Sequence, residues 1–205
     1  MRKARHSTSR RGSAMVEFAL AFTFLLPLLF GGVTTGINLR RSIQAEQIAR
    51  DAGHMYASSV DFSDSSNQAI LIRLTEGLNM TATGGDGVII LSTVTYVTQD
   101  DCTAAGLKSS QCVNANQSVV VNRIVIGNSS LRTSQFGTPT ASLIDSEGDV
   151  SNYLTDTSAR ATGFGSVLSL GDGDLAYVAE DYFTSPSYNI LGYHLGGGVA
   201  ARMIF

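Results

Sequence analysis

The sequence predicts an α+β fold: a long N-terminal transmembrane helix that continues into an amphipathic stem, packed on an antiparallel sheet of about four strands. Three observations lead to this prediction: an apolar stretch behind a basic tip, helical spacing of apolar residues after it, and four β-rich runs further along. They divide the 205 residues into a basic cytoplasmic leader (1–12), a transmembrane helix (13–37), a helical stem (38–57) and an exported α+β domain (58–205) with a long polar insertion around 127–173.

The composition favours an extracytoplasmic protein over a cytosolic helical enzyme. Charged residues make up 15% of the chain, against about 25% in a typical globular protein. A hydrophobic share of 43% and a net charge of −3 exclude a wholly disordered chain. The small net charge also excludes a nucleic-acid binder that works through its overall field, so no nucleic-acid partner is predicted.

The basic charges are concentrated at the N-terminus. The first 12 residues contain five basic residues and no acidic one, whereas the rest of the chain contains nine basic and 17 acidic residues. Only Arg40 and Arg41 lie directly behind the apolar stretch. Because lysine and arginine are enriched on the cytoplasmic side of a membrane, this asymmetry predicts a cytoplasmic N-terminus and an exported bulk.

The apolar stretch runs from Ala14 to Ile37. Its 24 residues would form a helix of about 36 Å, against a hydrocarbon core of about 30 Å. A cleavable secretion signal begins in the same way, but it needs small residues in an A-x-A-like pattern behind the apolar run. The sequence from Gly31 onward offers only a poor site of this kind, so a retained single-pass anchor is predicted.

Glu17 is the charged residue inside this stretch. A charged side chain at the centre of a bilayer costs about 2.5–3.5 kcal/mol on insertion scales, and less toward the edge. Two interpretations stay open at this point: the carboxylate reaches the headgroups, or it pairs with a cation inside the bilayer. Pro27 also lies in the span, where membrane helices tolerate proline because nearby groups satisfy the freed backbone.

Helical spacing continues behind the apolar stretch. From Leu39 to Tyr56, apolar residues recur every three to four positions with charged residues between them, which predicts an amphipathic stem. A second, short helix is predicted for Asn67–Leu78.

Four later runs have the residue types and the alternation of β-strands. They are Val88–Thr98, Ser118–Ile126, Leu175–Phe183 and Val199–Phe205. The alternation suits a half-buried antiparallel sheet with one face on a helix. The polar stretch between the second and third runs has weak periodicity, so we expect a functional excursion or a mobile loop there.

Cys102 and Cys112 are the two cysteines of the chain and bracket nine residues. In an exported domain the default for such a pair is a disulfide, with free thiols as the alternative. A zinc site is disfavoured because no histidine accompanies the pair at metal-ligand spacing.

Patterns typical of catalysis are missing from the sequence. The three histidines (His6, His54 and His194) are not spaced as metal ligands, and there is no G-x-S-x-G elbow or Walker loop. The run Gly171–Asp174 either binds calcium or, more simply, turns the chain into the third strand. Late aromatic residues form either a contact surface or part of the core: Tyr182, Phe183, Tyr188 and Tyr193. We predict no catalytic residue, metal, cofactor or small-molecule substrate.

The N-terminal sequence RRGSAMVEF, from Arg10 to Phe18, resembles the class III leader of the prepilin family. The resemblance implies that a prepilin peptidase cuts after Gly12, which leaves Ser13 as the new N-terminus and Glu17 as the fifth residue of the mature chain. The longer stretch RRGSAMVEFALAFTFLLP, which ends at Pro27, resembles the start of TadE-like pseudopilins (minor pilins) of the tight-adherence, or Flp, pilus system.

This resemblance implies a pilin-like fold and a non-enzymatic role in pilus assembly. The expected partners are the membrane, the prepilin peptidase, the major Flp pilin, another minor pilin and, indirectly, the assembly platform and secretion ATPase. The expected location is the bacterial inner membrane, with the C-terminal domain periplasmic or extracellular. Two alternatives stay open: an exported adhesive or binding domain with an ordinary signal peptide or signal anchor, and a membrane-anchored enzyme.

Overall fold

The computed structural model describes the backbone of residues 10–185, 188–190, 193–195 and 197–205, and the side chains of residues 14–185 and 197–205. Most of the basic leader, including His6, lies outside the described residues. The helices are α1 (Arg10–Ala57), α2 (Ser65–Leu74) and α3 (Gln99–Ala104). The strands are β1 (Met80–Thr81), β2 (Gly84–Gly85), β3 (Gly87–Val97), β4 (Gln117–Gly127), β5 (Leu175–Phe183), β6 (Tyr188–Ile190), β7 (Tyr193–Leu195) and β8 (Val199–Ile204).

Helix α1 is a continuous helix of 48 residues. At 1.5 Å per residue it is about 72 Å long, roughly twice the thickness of a hydrocarbon core. The predicted transmembrane helix and the predicted stem are therefore two parts of one element. The predicted second helix also forms, but as α2 it begins two residues earlier and ends at Leu74.

The four predicted strands form one antiparallel sheet in the order β4-β3-β5-β8. The predicted α+β fold, with a long apolar helix followed by a four-stranded antiparallel sheet, is confirmed. Strand β5 has the predicted bounds, and the others differ from the prediction by one residue at one or both ends.

The outer half of α1 packs on one face of this sheet, mainly over β5 and β8. Small helix residues allow a close approach: a Cβ atom added at Gly53 would lie 2.2 Å from a ring carbon of Phe205. Burial of this face removes a large apolar area from water, which is the main driving force for packing a helix on a sheet. The helix contributes Ala45, Ile48, Ala52 and Tyr56 to this core, and the strands contribute Ile89, Leu91, Ile124, Ile126, Ala179 and Phe183.

The opposite face of the sheet is covered by the segment 127–173. Phe136, Val150 and Phe164 from this segment are buried against Val94 and Val178 of the sheet. The rings of Phe136 and Phe164 meet edge to face, with centroids 5.0 Å apart. The expectation of a half-buried sheet is therefore wrong, because both faces of its centre are covered.

The same segment also covers one edge of the sheet. The backbone N–H groups of Arg123 and Val150 donate to the carbonyl oxygens of Gly148 (2.7 Å) and Val121 (2.8 Å) respectively. These bonds satisfy part of the exposed row of backbone groups that an edge strand presents, here on β4. The sequence predicted a functional excursion or a mobile loop for the segment 127–173. In the structure this segment instead contributes to the core and covers the β4 edge of the sheet.

Candidate functional site

The residues of the predicted leader junction lie in the first turns of α1. The helix includes the backbone of Gly12 and Ser13, whose side chains are outside the description. Glu17 and Phe18 follow within the next two turns. The Phe18 side chain is 68% exposed, and its ring stacks on that of Phe22 with centroids 5.5 Å apart.

The first half of α1 exposes a continuous apolar surface. It is the helix of the described chain that is long and apolar enough to cross a membrane, and none of its most apolar window is buried in the domain. Exposed large apolar side chains occur along its whole length, including Met15, Phe24, Leu28 and Val33. A soluble protein rarely leaves such a surface uncovered, so this segment fits a single-pass membrane anchor.

The domain forms hydrogen bonds with the residues of α1 that directly follow this apolar surface. The Arg41 Nη1 atom donates to the Thr184 carbonyl oxygen at 2.7 Å, and the Ser185 hydroxyl donates to the Asn38 side-chain oxygen. At the other end of the stem, the rings of Tyr56 and Tyr177 meet edge to face at 5.5 Å. Strand β5 therefore runs antiparallel to the stem, from its far end back to the residues that follow the predicted span.

Cys102 and Cys112 form a disulfide with their Cα atoms 5.9 Å apart. This agrees with the pairing that the sequence favoured. Cys102 lies in α3, which begins with a capping box in which Thr98 and Asp101 bind each other's backbone N–H groups. Both cysteines pack with Val97 and Val119, so the disulfide closes the far end of the β3–β4 pair.

Asp181 is a buried acidic residue on the helix-facing side of β5, where it is 2% exposed. Its Oδ1 atom accepts a hydrogen bond from the Ala201 N–H at 2.8 Å, and Oδ2 has no hydrogen-bond partner among the described residues. Burial raises the pKa of this carboxyl to about 8, although the backbone of Ala201 and Ala49 and the charge of Arg132 act in the opposite direction. The folded protein therefore favours the neutral, protonated form of Asp181 below about pH 8.

We expect the folding stability to fall as the pH rises from about 4 to about 8, because the folded state holds a proton on Asp181 that the unfolded state has lost. Asp181→Asn should flatten this part of the stability profile, measured by urea unfolding of the detergent-solubilised full chain. Asp172→Asn, in an exposed turn, is the matched control and should leave the profile unchanged. An unaltered slope in Asp181→Asn would contradict the assignment.

A second buried polar cluster joins the opposite face of the sheet to the segment 127–173. The Glu180 carboxylate accepts hydrogen bonds from the Ser134 hydroxyl and the Gln135 N–H. Arg123, which is 4% exposed, donates to the Gly137 carbonyl oxygen at 3.0 Å. Burial lowers the pKa of Arg123 to about 10, and the nearby charge of Glu180 partly offsets this shift. These contacts attach the covering segment to the sheet.

An open groove of about 770 Å³ lies where α1 ends, at the far side of the domain from the predicted span. The Tyr56 hydroxyl binds the Thr93 hydroxyl at 2.8 Å and the Asn122 Oδ1 atom at 2.7 Å. The Asn122 amide in turn donates to an Asp149 carboxylate oxygen at 2.8 Å. Burial raises the pKa of Tyr56 to about 12, so this phenol stays neutral. Its two hydrogen bonds join the end of α1 to β3 and β4.

The described residues contain no group of three or more histidine, cysteine, aspartate or glutamate side chains that could hold a metal ion. The run Gly171–Asp174 forms an exposed turn in which the Asp174 carboxylate accepts the Gly171 N–H at 2.7 Å. Of the late aromatic residues, Phe183 is fully buried, whereas the side chains of Tyr188 and Tyr193 lie outside the description.

Comparison with known protein families gives a match within α1. Residues 12–54 match the family described as TadE-like protein, which confirms the resemblance noted from the N-terminal sequence. The match begins at the glycine of the predicted leader junction and lies wholly within α1. No curated protein and no solved structure matches the chain.

Proposed function

We propose that the chain is a minor pilin, or pseudopilin, that acts in the assembly of a Flp-type pilus. The observation that carries this proposal is the TadE-like match over residues 12–54, because it covers the proposed processing site, the apolar span and the stem together. The exposed apolar first half of α1 supports the proposal independently, since such a surface must be covered by lipid or by other helices.

The proposed cleavage site lies before the apolar span in the sequence, so cleavage there keeps the span in the mature chain. A prepilin peptidase on the cytoplasmic side cuts between Gly12 and Ser13, so the mature chain keeps the whole apolar span as its anchor. The cut creates a free ammonium group at Ser13, four residues before Glu17. In the low dielectric of the bilayer, this ammonium pairs with the Glu17 carboxylate of a neighbouring subunit, and the pairing offsets the cost of a charge in lipid.

The domain behind the stem then lies on the exported side of the bacterial inner membrane. There it works with the major Flp pilin and another minor pilin, and indirectly with the assembly platform and the secretion ATPase. In this role the chain has no catalytic function. The continuous helix α1 joins the apolar span to the domain, which supports a structural role in assembly.

The processing site is tested by determining the mature N-terminus. The wild-type chain should begin at Ser13, whereas Gly12→Leu should accumulate with its leader attached, because a bulky side chain then replaces the glycine that precedes the cut. Gly36→Leu is a suitable control, because a Cβ atom at Gly36 meets nothing within 4 Å. This control should be processed normally.

A mature chain that begins behind about Gly32 would have lost the span and Glu17. That outcome would overturn the proposal and favour the exported binding domain with an ordinary signal peptide. A chain that keeps residues 1–12 in the wild type, in a host with an active prepilin peptidase, would also contradict it.

A further inference from the structure

The groove at the far end of the domain has an apolar floor, formed by three aromatic rings and a leucine. The Tyr56 ring lies 6.5 Å from the Phe62 ring and 5.5 Å from the Tyr177 ring, measured between centroids. Leu175 also lines the groove and is 52% exposed. A partner that covers this floor removes apolar surface from water, which favours association.

The groove also has an acidic rim. It consists of three exposed carboxylates that line the groove: Asp61, Glu147 and Asp149. The described lining residues include no lysine, arginine or histidine. The charge of Arg123 reaches Tyr56 from inside the domain, but this guanidinium is 4% exposed and lies near Glu180. The groove is therefore complementary to a segment that carries a cation next to apolar side chains.

The base of the stem presents such a segment, which we call the base surface: Leu39, Arg40 and Ile43. Leu39 and Ile43 are 61% and 50% exposed, and residues four positions apart lie on the same side of a helix. Arg40 is exposed and lines a smaller groove of about 350 Å³ together with Ile43. Ile43 lies about 9 Å beyond Ile37, the last residue of the predicted span, along the helix axis. Lipid hydrocarbon therefore does not cover this part of the surface.

We propose that the groove binds the base surface of a second copy of this chain, with Arg40 beside the acidic rim and the two apolar side chains on the floor. The groove and the base surface lie at opposite ends of the stem. One copy therefore offers its groove to one neighbour while it places its base surface in the groove of another. Such a head-to-tail contact repeats along a filament unless it closes into a ring.

The contact sets a displacement between neighbouring copies. Tyr56 lies 13 to 17 residues beyond the base surface, which is about 20–25 Å along the helix axis. Two copies with parallel helices are displaced by this distance, so their spans do not both fill one hydrocarbon core of about 30 Å. The contact therefore belongs to a copy that has left the bilayer. The inference rests on the role in pilus assembly proposed above and adds that the chain is repeated within the fibre.

The test is the self-association of the mature full-length chain in detergent, measured by sedimentation velocity over a range of protein concentrations. Arg40→Glu reverses the charge of the base surface, and Glu147→Arg reverses a charge of the rim. Arg50→Glu on the stem and Asp100→Arg in α3 are the matched controls, because both residues are exposed and line neither groove. Circular dichroism shows whether each variant is folded, and Arg40→Gln or Glu147→Gln replaces a variant that is not.

The wild-type chain should form oligomers that grow with its concentration and dissociate at high salt. Each of the two charge reversals should weaken this association by about 10-fold or more, whereas the two controls should leave it unchanged. An equimolar mixture of Arg40→Glu and Glu147→Arg should form dimers with the wild-type affinity. In that mixture, the intact base surface of one variant meets the intact groove of the other.

A wild-type chain that stays monomeric at every concentration would overturn the inference. Association that neither charge reversal weakens would also overturn it, because the apolar spans would then account for the oligomers. A mixture that does not regain association would refute the head-to-tail contact. N-terminal sequencing of the same sample separates these outcomes from the proposed function: a start at Ser13 leaves that function intact when association fails, whereas a start behind Gly32 refutes the function itself.

Discussion

Glu17→Ala should abolish pilus formation while the protein still inserts into the membrane at the wild-type level. Alanine removes a charge that costs about 2.5–3.5 kcal/mol at the bilayer centre, so insertion is at least as favourable as before. Assembly loses the carboxylate and leaves the partner ammonium in lipid, and breaking a buried pair in this way costs about 3–5 kcal/mol. We therefore expect the number of pili per cell to fall about 100-fold or more, counted by electron microscopy.

Glu46→Ala is the matched control for this experiment. Glu46 is a glutamate of the same helix, exposed on the stem, and its substitution should leave both the membrane level and the pilus count unchanged. N-terminal sequencing of Glu17→Ala must show a start at Ser13, so that a defect in processing is not mistaken for a defect in assembly. A normal pilus count in a correctly processed Glu17→Ala strain would refute the role of this carboxylate.

Phe164→Ala should lower the free energy of unfolding by about 3–5 kcal/mol, the usual cost of deleting a buried aromatic ring. Phe164 is fully buried between the sheet and Phe136, in the short 3-10 helix Phe164–Ser166. A loss of this size would consume a large part of a typical stability of about 5–15 kcal/mol. The measurement is urea unfolding of the detergent-solubilised full chain, followed by circular dichroism.

Val167→Ala provides the control three residues away. Its side chain is 53% exposed, so the substitution should change the stability by no more than about 0.5 kcal/mol. If Phe164→Ala were as mild as this control, the segment 127–173 would be an appendage of the sheet and the second core described here would be refuted.

The elements that the sequence predicted well are those with a long, regular pattern. Helix α1 carries an apolar stretch and then amphipathic spacing over many turns, and β5 alternates over its whole length. The TadE-like match falls in the same helix, where a few residue types at fixed spacing between a basic tip and a span carry the signal. Regular periodicity and motif context thus located the anchor, the stem and the sheet.

The covering segment could not be predicted in this way. Phe136, Val150 and Phe164 reach the core from loops and single turns, which have no period of 3.6 or 2 for a pattern to reveal. Two smaller features did leave a signal that was missed. Thr98 and Asp101 have the spacing of a capping box for α3, and Asp181 shares the strand face of Ala179 and Phe183, where an acid is conspicuous.

The packing of α1 against β8 imposes an order on folding. The β8 residues that contact the stem follow it by about 150 positions in the chain, and contacts between such distant residues form slowly because a long loop must first close. Until β8 joins β5, β3, β4 and β5 can cover their part of the stem, but the part that packs on β8 stays uncovered. The docking of β8 is therefore a late, long-range step that completes the cover of the stem.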